Sequence, residues 1–123
     1  MWTPRNWMTL AAVLGLLAVA GGAFGAHGVA DPKAKSWLQT GAEYALVHVL
    51  ASFACGILAQ FGARRPGLAA AFFLAGVALF SGSLFVMALG GPRWLGAVTP
   101  VGGLSFMIGW AALAWAARGI RSV

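Results

Sequence analysis

Residues 67–89 read GLAAAFFLAGVALFSGSLFVMAL, a run of 23 positions with no charged residue and only two polar side chains, Ser81 and Ser83. A helix needs about 20 mainly apolar residues to cross the hydrocarbon core of a bilayer. Arg64-Arg65-Pro66 precedes the run and Gly90-Gly91-Pro92-Arg93 follows it, so both ends carry stop signals. In lipid every backbone polar group needs an internal partner, which a helix supplies for itself. The run is therefore predicted to be a membrane-spanning helix.

Three further runs of the same kind lie outward from it, from about Trp7 to Ala26, Tyr44 to Phe61 and Gly96 to Ala117, none with Lys, Arg or Asp in its middle. Four spans occupy roughly 80 of the 123 residues. The fold class is an all-α integral membrane protein, a four-helix transmembrane bundle with short loops, forming one domain over residues 1–123. Short connections imply antiparallel neighbours. The first loop is longer. Asp31 before Pro32 is an N-cap with proline in the first turn, which predicts a short interfacial helix carrying Trp37 and Leu38 and a bend near Gly41.

Composition excludes other classes. Hydrophobic residues make up 61% and charged residues 8%, against roughly 25% charged in a soluble domain. The net charge of +6 comes from only eight Lys and Arg with no dense basic run, so a nucleic-acid partner is not indicated. A single Cys, Cys55, cannot form an intramolecular disulfide; it reads as a buried packing residue. The alternative reading of the first run is a cleavable leader, because Arg5 precedes it and small residues from Ala20 to Ala26 end it. Its length suits a retained span.

An even number of spans puts both termini on one side. Arg5, Arg64, Arg65, Arg118 and Arg121 lie at the termini and second loop, and Lys33, Lys35 and Arg93 lie in the first and third loops. The excess predicts cytoplasmic termini, although so modest a bias leaves dual topology open. Trp2, Trp7, Trp37, Trp94 and Trp115 fall near the span ends, as interfacial anchors do. Small residues four apart recur in every span: Gly21 and Gly25, Ala18 and Gly22, Ser52 and Gly56, Ala78 and Gly82, Ser105 and Gly109. Such motifs let helices approach closely. They are read first as packing within the bundle, with a homo-oligomer or a larger membrane complex as the other assembly they serve; the bilayer itself is the constant partner.

With this topology the polar side chains collect in the outer half. His27 ends the first span; Glu43, Tyr44, His48 and Ser52 lie early in the second; Ser81 and Ser83 come late in the third; Thr99 opens the fourth. Tyr44, His48 and Ser52 are four apart and share one helix face. Ionisable groups at membrane depth are costly and usually face a bundle interior or wet cavity, so these eight residues form the candidate polar cluster or ligand site. Pro100 with Gly102 and Gly103 is expected to loosen the fourth span and open carbonyls toward it. The competing reading is a satisfied structural network. A metal is not expected, since His27 and His48 are 21 residues apart with no HExxH or CxxC. Bis-histidine haem has no further signature here, and no cofactor is assigned.

Four segments carry a resemblance: Gly21 to His27; Trp37-Leu38-Gln39-Thr40-Gly41-Ala42-Glu43-Tyr44 with His48; Leu79-Phe80-Ser81-Gly82-Ser83-Leu84; and Thr99-Pro100-Val101-Gly102-Gly103 with Gly109 and Trp110. In this order and spacing they resemble the small YgdD/YwdK-like inner-membrane proteins. The resemblance implies a helical membrane protein of this length from a family without an assigned reaction. Phe85 departs from the family pattern, in which Tyr often follows the Ser-Gly-Ser-Leu run. Three function classes follow. One is a non-catalytic membrane module using the cluster as internal glue. Another is a binding or transport protein for a small polar molecule, quinone, lipid headgroup or ion. The third is a His-based enzyme, which lacks any nucleophile or triad motif.

Overall fold

The computed structural model describes residues 1–122. Its helices are α1 (Pro4–His27), α2 (Pro32–Leu58, extended by a 3-10 turn Ala59–Phe61), α3 (Pro66–Gly76), a π-helical segment Val77–Ser81, α4 (Gly82–Ala88), a 3-10 turn Arg93–Ala97 and α5 (Thr99–Ala117). They make four units long and apolar enough to cross a membrane: Pro4–His27, Pro32–Phe61, Pro66–Ala88 and Arg93–Ala117. They coincide with the four runs expected from sequence, reaching back to the preceding proline or turn, except that the third ends at Ala88, one residue before Leu89. The chain is a four-span helical membrane protein.

Helix starts follow local chemistry. The Thr3 hydroxyl accepts from the Asn6 amide at 3.3 Å, and the Asp31 carboxylate accepts from the Ala34 amide at 3.1 Å. Pro4, Pro32, Pro66 and Pro100 all stand in first turns, where the missing N–H would have had no helical partner. Pro100 therefore does not loosen the fourth span as expected. The Gly102 amide still reaches the Val98 carbonyl at 3.2 Å. Nor is the second span interrupted at Gly41. Leu38, Gly41, Ala42 and Ala45 are all buried, so neighbours grip α2 on both sides of that glycine and the interfacial segment and the span form one unbroken helix. The 30 residues of Pro32–Phe61 measure about 45 Å at a helical rise, against a core of about 30 Å. The helix is thus longer than the hydrocarbon core, and its first turns lie at the end opposite both termini.

α2 and the third span form the centre, with α1 flanking α2 and α5 flanking the third span. Each flank is seated by glycines. A methyl on Gly22 would lie 3.1 Å from the Ala42 side chain and one on Gly15 would lie 3.4 Å from Val49; Met8 covers Gly56. The partners step by seven along each helix in opposite directions, the repeat of a close antiparallel helix pair. On the other flank Phe73 stands over Gly109, Phe106 over Gly76 and Phe80 over Gly102. These partners step by three and four. Gly21 and Gly41 together receive the ring of Phe85, which a methyl at either would meet within 2.5–2.7 Å.

Four of the five small-residue pairs thus pack as expected. Ala78 and Gly82 do not: Ala78 is exposed, and a methyl on Gly82 would meet nothing within 4 Å. The π turn between them, with bonds from i to i+5, breaks the four-residue spacing on which the motif rests.

Hydrogen bonds tie the end that carries both termini. The Trp2 indole donates to the Gly67 carbonyl at 2.7 Å. The Arg64 amide donates to Ala116 at 2.9 Å, and the Arg121 amide to Phe61 at 3.0 Å. The Arg121 guanidinium caps the Gln60 carbonyl at 2.8 Å, completing the end of the second span as a cation does at a helix C-terminus. The turn joining second and third spans is left-handed at Gly62 (φ +89°) and at Arg65 (φ +45°).

Candidate functional site

His48 is the most enclosed ionisable side chain of the expected cluster, 4% exposed. Its position follows from α2, where Tyr44 lies one turn before it and Ser52 one turn after. Both ring nitrogens are engaged. Nε2 lies 3.0 Å from the Trp110 indole nitrogen, and Nδ1 lies 2.6 Å from the Tyr44 carbonyl oxygen. An indole N–H can only donate and a carbonyl can only accept. Nε2 is therefore the acceptor and Nδ1 carries the proton, which defines the neutral Nδ1–H tautomer. Ser52 donates to the His48 carbonyl at 2.8 Å, a back-bond to residue i−4 that satisfies the hydroxyl within its own helix.

Aromatic rings close the surroundings. Phe106 stacks on the imidazole with centroids 3.6 Å apart and planes 10° apart, while the Phe73 ring lies 5.6 Å away and Trp110 meets the imidazole edge-on. Tyr44 lies nearly parallel to the imidazole and meets the tilted Phe80 ring at 4.8 Å. The rings fill the space between α2 and α5, which barely touch directly. Phe106 and Trp110 lie four apart on α5, hence on one face.

The remaining expected residues fall into separate places. Ser81, 2% exposed, donates from the π segment to the Gly41 carbonyl at 2.6 Å, joining the third span to the second. Ser83 donates to the Phe80 carbonyl at 2.9 Å and pairs with the Thr99 hydroxyl at 2.6 Å, joining the third span to the fourth. Glu43 is exposed on the outer face of α2 beside a shallow groove shared with Tyr44, Val47 and His48. His27 is exposed at the last position of α1. By the α1–α2 register it stands level with residue 37, about 16 Å along the axis from His48. The structure therefore brings together Tyr44, His48 and Ser52, and separately Ser83 and Thr99, and leaves His27 apart. Among the described residues no three His, Cys, Asp or Glu side chains converge to hold a metal.

Sequence reasoning placed Trp110 in a motif but not in the site, and it passed over Phe73, Phe80 and Phe106. The available signal was the four-residue spacing of Phe106 and Trp110 beside Gly102 and Gly109. Ser105 was read as a small, polar position early in the fourth span and not as part of the cluster. It donates to the Phe72 carbonyl at 2.7 Å, a further link between third and fourth spans. Chemically, the His48 assembly has no free lone pair or proton. To act as base or ligand the imidazole would have to abandon Trp110, leaving a half-buried indole N–H unpaired.

Residues 21–103 match the family described as "Protein of unknown function (DUF423)". The chain is 40% identical over 116 residues to the "UPF0382 inner membrane protein YgdD" of Escherichia coli K12, covering 89% of this chain and 86% of that protein. It is 39% identical over 114 residues to a "UPF0382 membrane protein" of Haemophilus influenzae, covering 90% and 92%. It is 39% identical over 111 residues to the "UPF0382 membrane protein YwdK" of Bacillus subtilis, covering 86% and 90%. No solved structure matches the chain.

Proposed function

The chain belongs to the DUF423 family of unknown function, and on that premise we propose that it is a non-catalytic membrane module whose polar side chains serve as contacts between its own spans. One observation carries this reading: both nitrogens of His48 are committed, to the Trp110 indole and to the Tyr44 carbonyl. A general base or a metal ligand needs a free lone pair, and a proton relay needs a group that can release its partner cheaply. Ser81, Ser83 and Ser105 spend their hydroxyls likewise on carbonyls of the bundle.

In this reading the bilayer is the principal partner. The exposed Leu10, Val13, Leu16 and Leu17 of α1 face lipid, or a second copy or larger membrane complex in the same place. Both termini lie in the cytoplasm, by the excess of Arg at the inner end. Native mass spectrometry of the full chain in mild detergent tests the reading. Protein carrying no non-lipid mass agrees with it. A stoichiometric non-lipid mass, such as a quinone or haem, lost on His48→Phe would overturn it in favour of a binding or redox protein.

A further inference from the structure

At the outer end an open groove of about 500 Å³ runs between the start of α2, α4 and the turn into α5. Lys33 and Arg93, from loops 60 positions apart in sequence, both stand on its wall. No acidic side chain lines it among the described residues. The chain has only two acids: Asp31 caps α2 through the Ala34 amide, and Glu43 lies beside the other groove. Lys35, the third cation of this end, is used elsewhere, its ammonium 3.4 Å from the Ala26 carbonyl at the end of α1. Two cations are thus left facing one cavity without a counter-charge in it.

The rest of the wall is amphipathic in a definite order. Lys33 lies 5.3 Å over the Trp37 ring, which holds its ammonium at the level where tryptophan favours the headgroup region. Thr99 adds a hydroxyl oxygen, its proton directed to Ser83, which itself donates to the Phe80 carbonyl. Leu84 and Met87 supply apolar wall. Cations, a hydroxyl and an aromatic ring beside aliphatic side chains match the phosphate and first acyl carbons of one amphiphile. Basic pockets between spans on the cytoplasmic side of other membrane proteins hold anionic headgroups, and this groove presents the same kind of donors at the opposite end. The positive-inside rule works against cations in these loops, so their convergence on one cavity calls for a ligand.

We propose that this groove binds an anionic glycerophospholipid, with its phosphate between Lys33 and Arg93 and an acyl chain along Leu84 and Met87. The site is separate from the His48 assembly and does not depend on the function proposed above.

The test uses the full chain in nanodiscs of equal phosphatidylglycerol and phosphatidylcholine with matched acyl chains, read by native mass spectrometry of retained lipid. The expected result is enrichment of phosphatidylglycerol that falls about fivefold for each charge removed in Lys33→Gln and Arg93→Gln. Lys33→Arg with Arg93→Lys keeps the enrichment. Gly96→Trp, which fills the groove while leaving both charges, abolishes it. Arg5→Gln with Arg118→Gln removes equal charge at the inner end and keeps it. Unchanged enrichment in Lys33→Gln/Arg93→Gln overturns the proposal, as does equal loss in the inner-end variant, which would mean attraction to net charge alone. Displacement of the lipid by inorganic phosphate at matched concentration would also overturn it, and would assign the groove to a free anion.

Discussion

Trp110 sets the tautomer of His48: its indole N–H, 3.0 Å from Nε2, obliges the imidazole to carry its proton on Nδ1 and spend it on the Tyr44 carbonyl. One bond therefore determines what a histidine at membrane depth can do. It also joins two helices, α2 and α5, that otherwise meet mainly through interposed rings.

His48→Phe keeps a ring for Phe106 to stack on but leaves the indole unpaired, and Trp110→Phe removes the donor. Each single variant is expected to cost about 1–2 kcal/mol. The double variant should fall short of the sum by about 1 kcal/mol, the range seen for hydrogen bonds between membrane helices. Unfolding in mixed micelles measures all three; strict additivity would show that the two residues do not interact.

Glycine substitutions should separate by what lies opposite. A methyl at Gly109 would come 2.6 Å from the Phe73 ring, whereas one at Gly82 meets nothing. Gly109→Ala is expected to destabilise by about 1–3 kcal/mol through overpacking. Gly82→Ala sits in ordinary helical backbone and should be neutral or stabilising by about 0.5 kcal/mol. The same micelle unfolding assay ranks them, and equal effects would contradict the seating described for Phe73.

Phe85 and Gly21 should behave as a matched pair. Gly21→Ala drives a methyl against the Phe85 ring and is expected to cost about 1–3 kcal/mol. Once Phe85→Ala has emptied that space, the same glycine change should cost less than about 0.5 kcal/mol. A full penalty in both backgrounds would mean that the ring does not occupy the crevice between Gly21 and Gly41.

Glu43 is exposed at the rim of the groove beside Tyr44 and His48, and His27 is exposed and about 16 Å away along the axis, so Glu43→Gln and His27→Gln are expected to change stability by under about 0.5 kcal/mol. Ser81→Ala, by contrast, removes the link to Gly41 and should cost about 1 kcal/mol. A large loss with Glu43→Gln would place Glu43 inside the network.

Fusions of alkaline phosphatase and green fluorescent protein to each terminus report sidedness directly. Fluorescence without phosphatase activity at both ends is the expected outcome; mixed reporters would indicate dual topology.

The number of spans, their antiparallel order and the Asp31–Pro32 start of the second helix were legible because length, breakers and capping chemistry are local, whereas Pro100 was misread as a break rather than a helix start. So was the concentration of polar groups in the second, third and fourth spans. Which residues those groups would meet was not legible. A helix that is apolar all round carries no contrast between its lipid face and its protein face, so Phe73, Phe80 and Phe106 read no differently from Leu50 or Leu104, which face outward. The unbroken run of α2 past Gly41 depends on Leu38 and Ala42 being gripped by other helices. The convergence of Lys33 and Arg93 is equally invisible in one dimension, where each reads as a loop charge serving topology.

The reciprocal seating of α5 on the third span has a mechanical consequence. The Phe73 ring projects one way into Gly109 and the Phe106 ring the other way into Gly76, while the backbone of Phe80 lies against Gly102. Sliding either helix by even one residue, about 1.5 Å, would carry a ring off its glycine and onto a neighbour with a Cβ. Pistoning of the fourth span is therefore blocked in both directions, and the soft coordinate left to this helix is a small rocking about the line of its glycines.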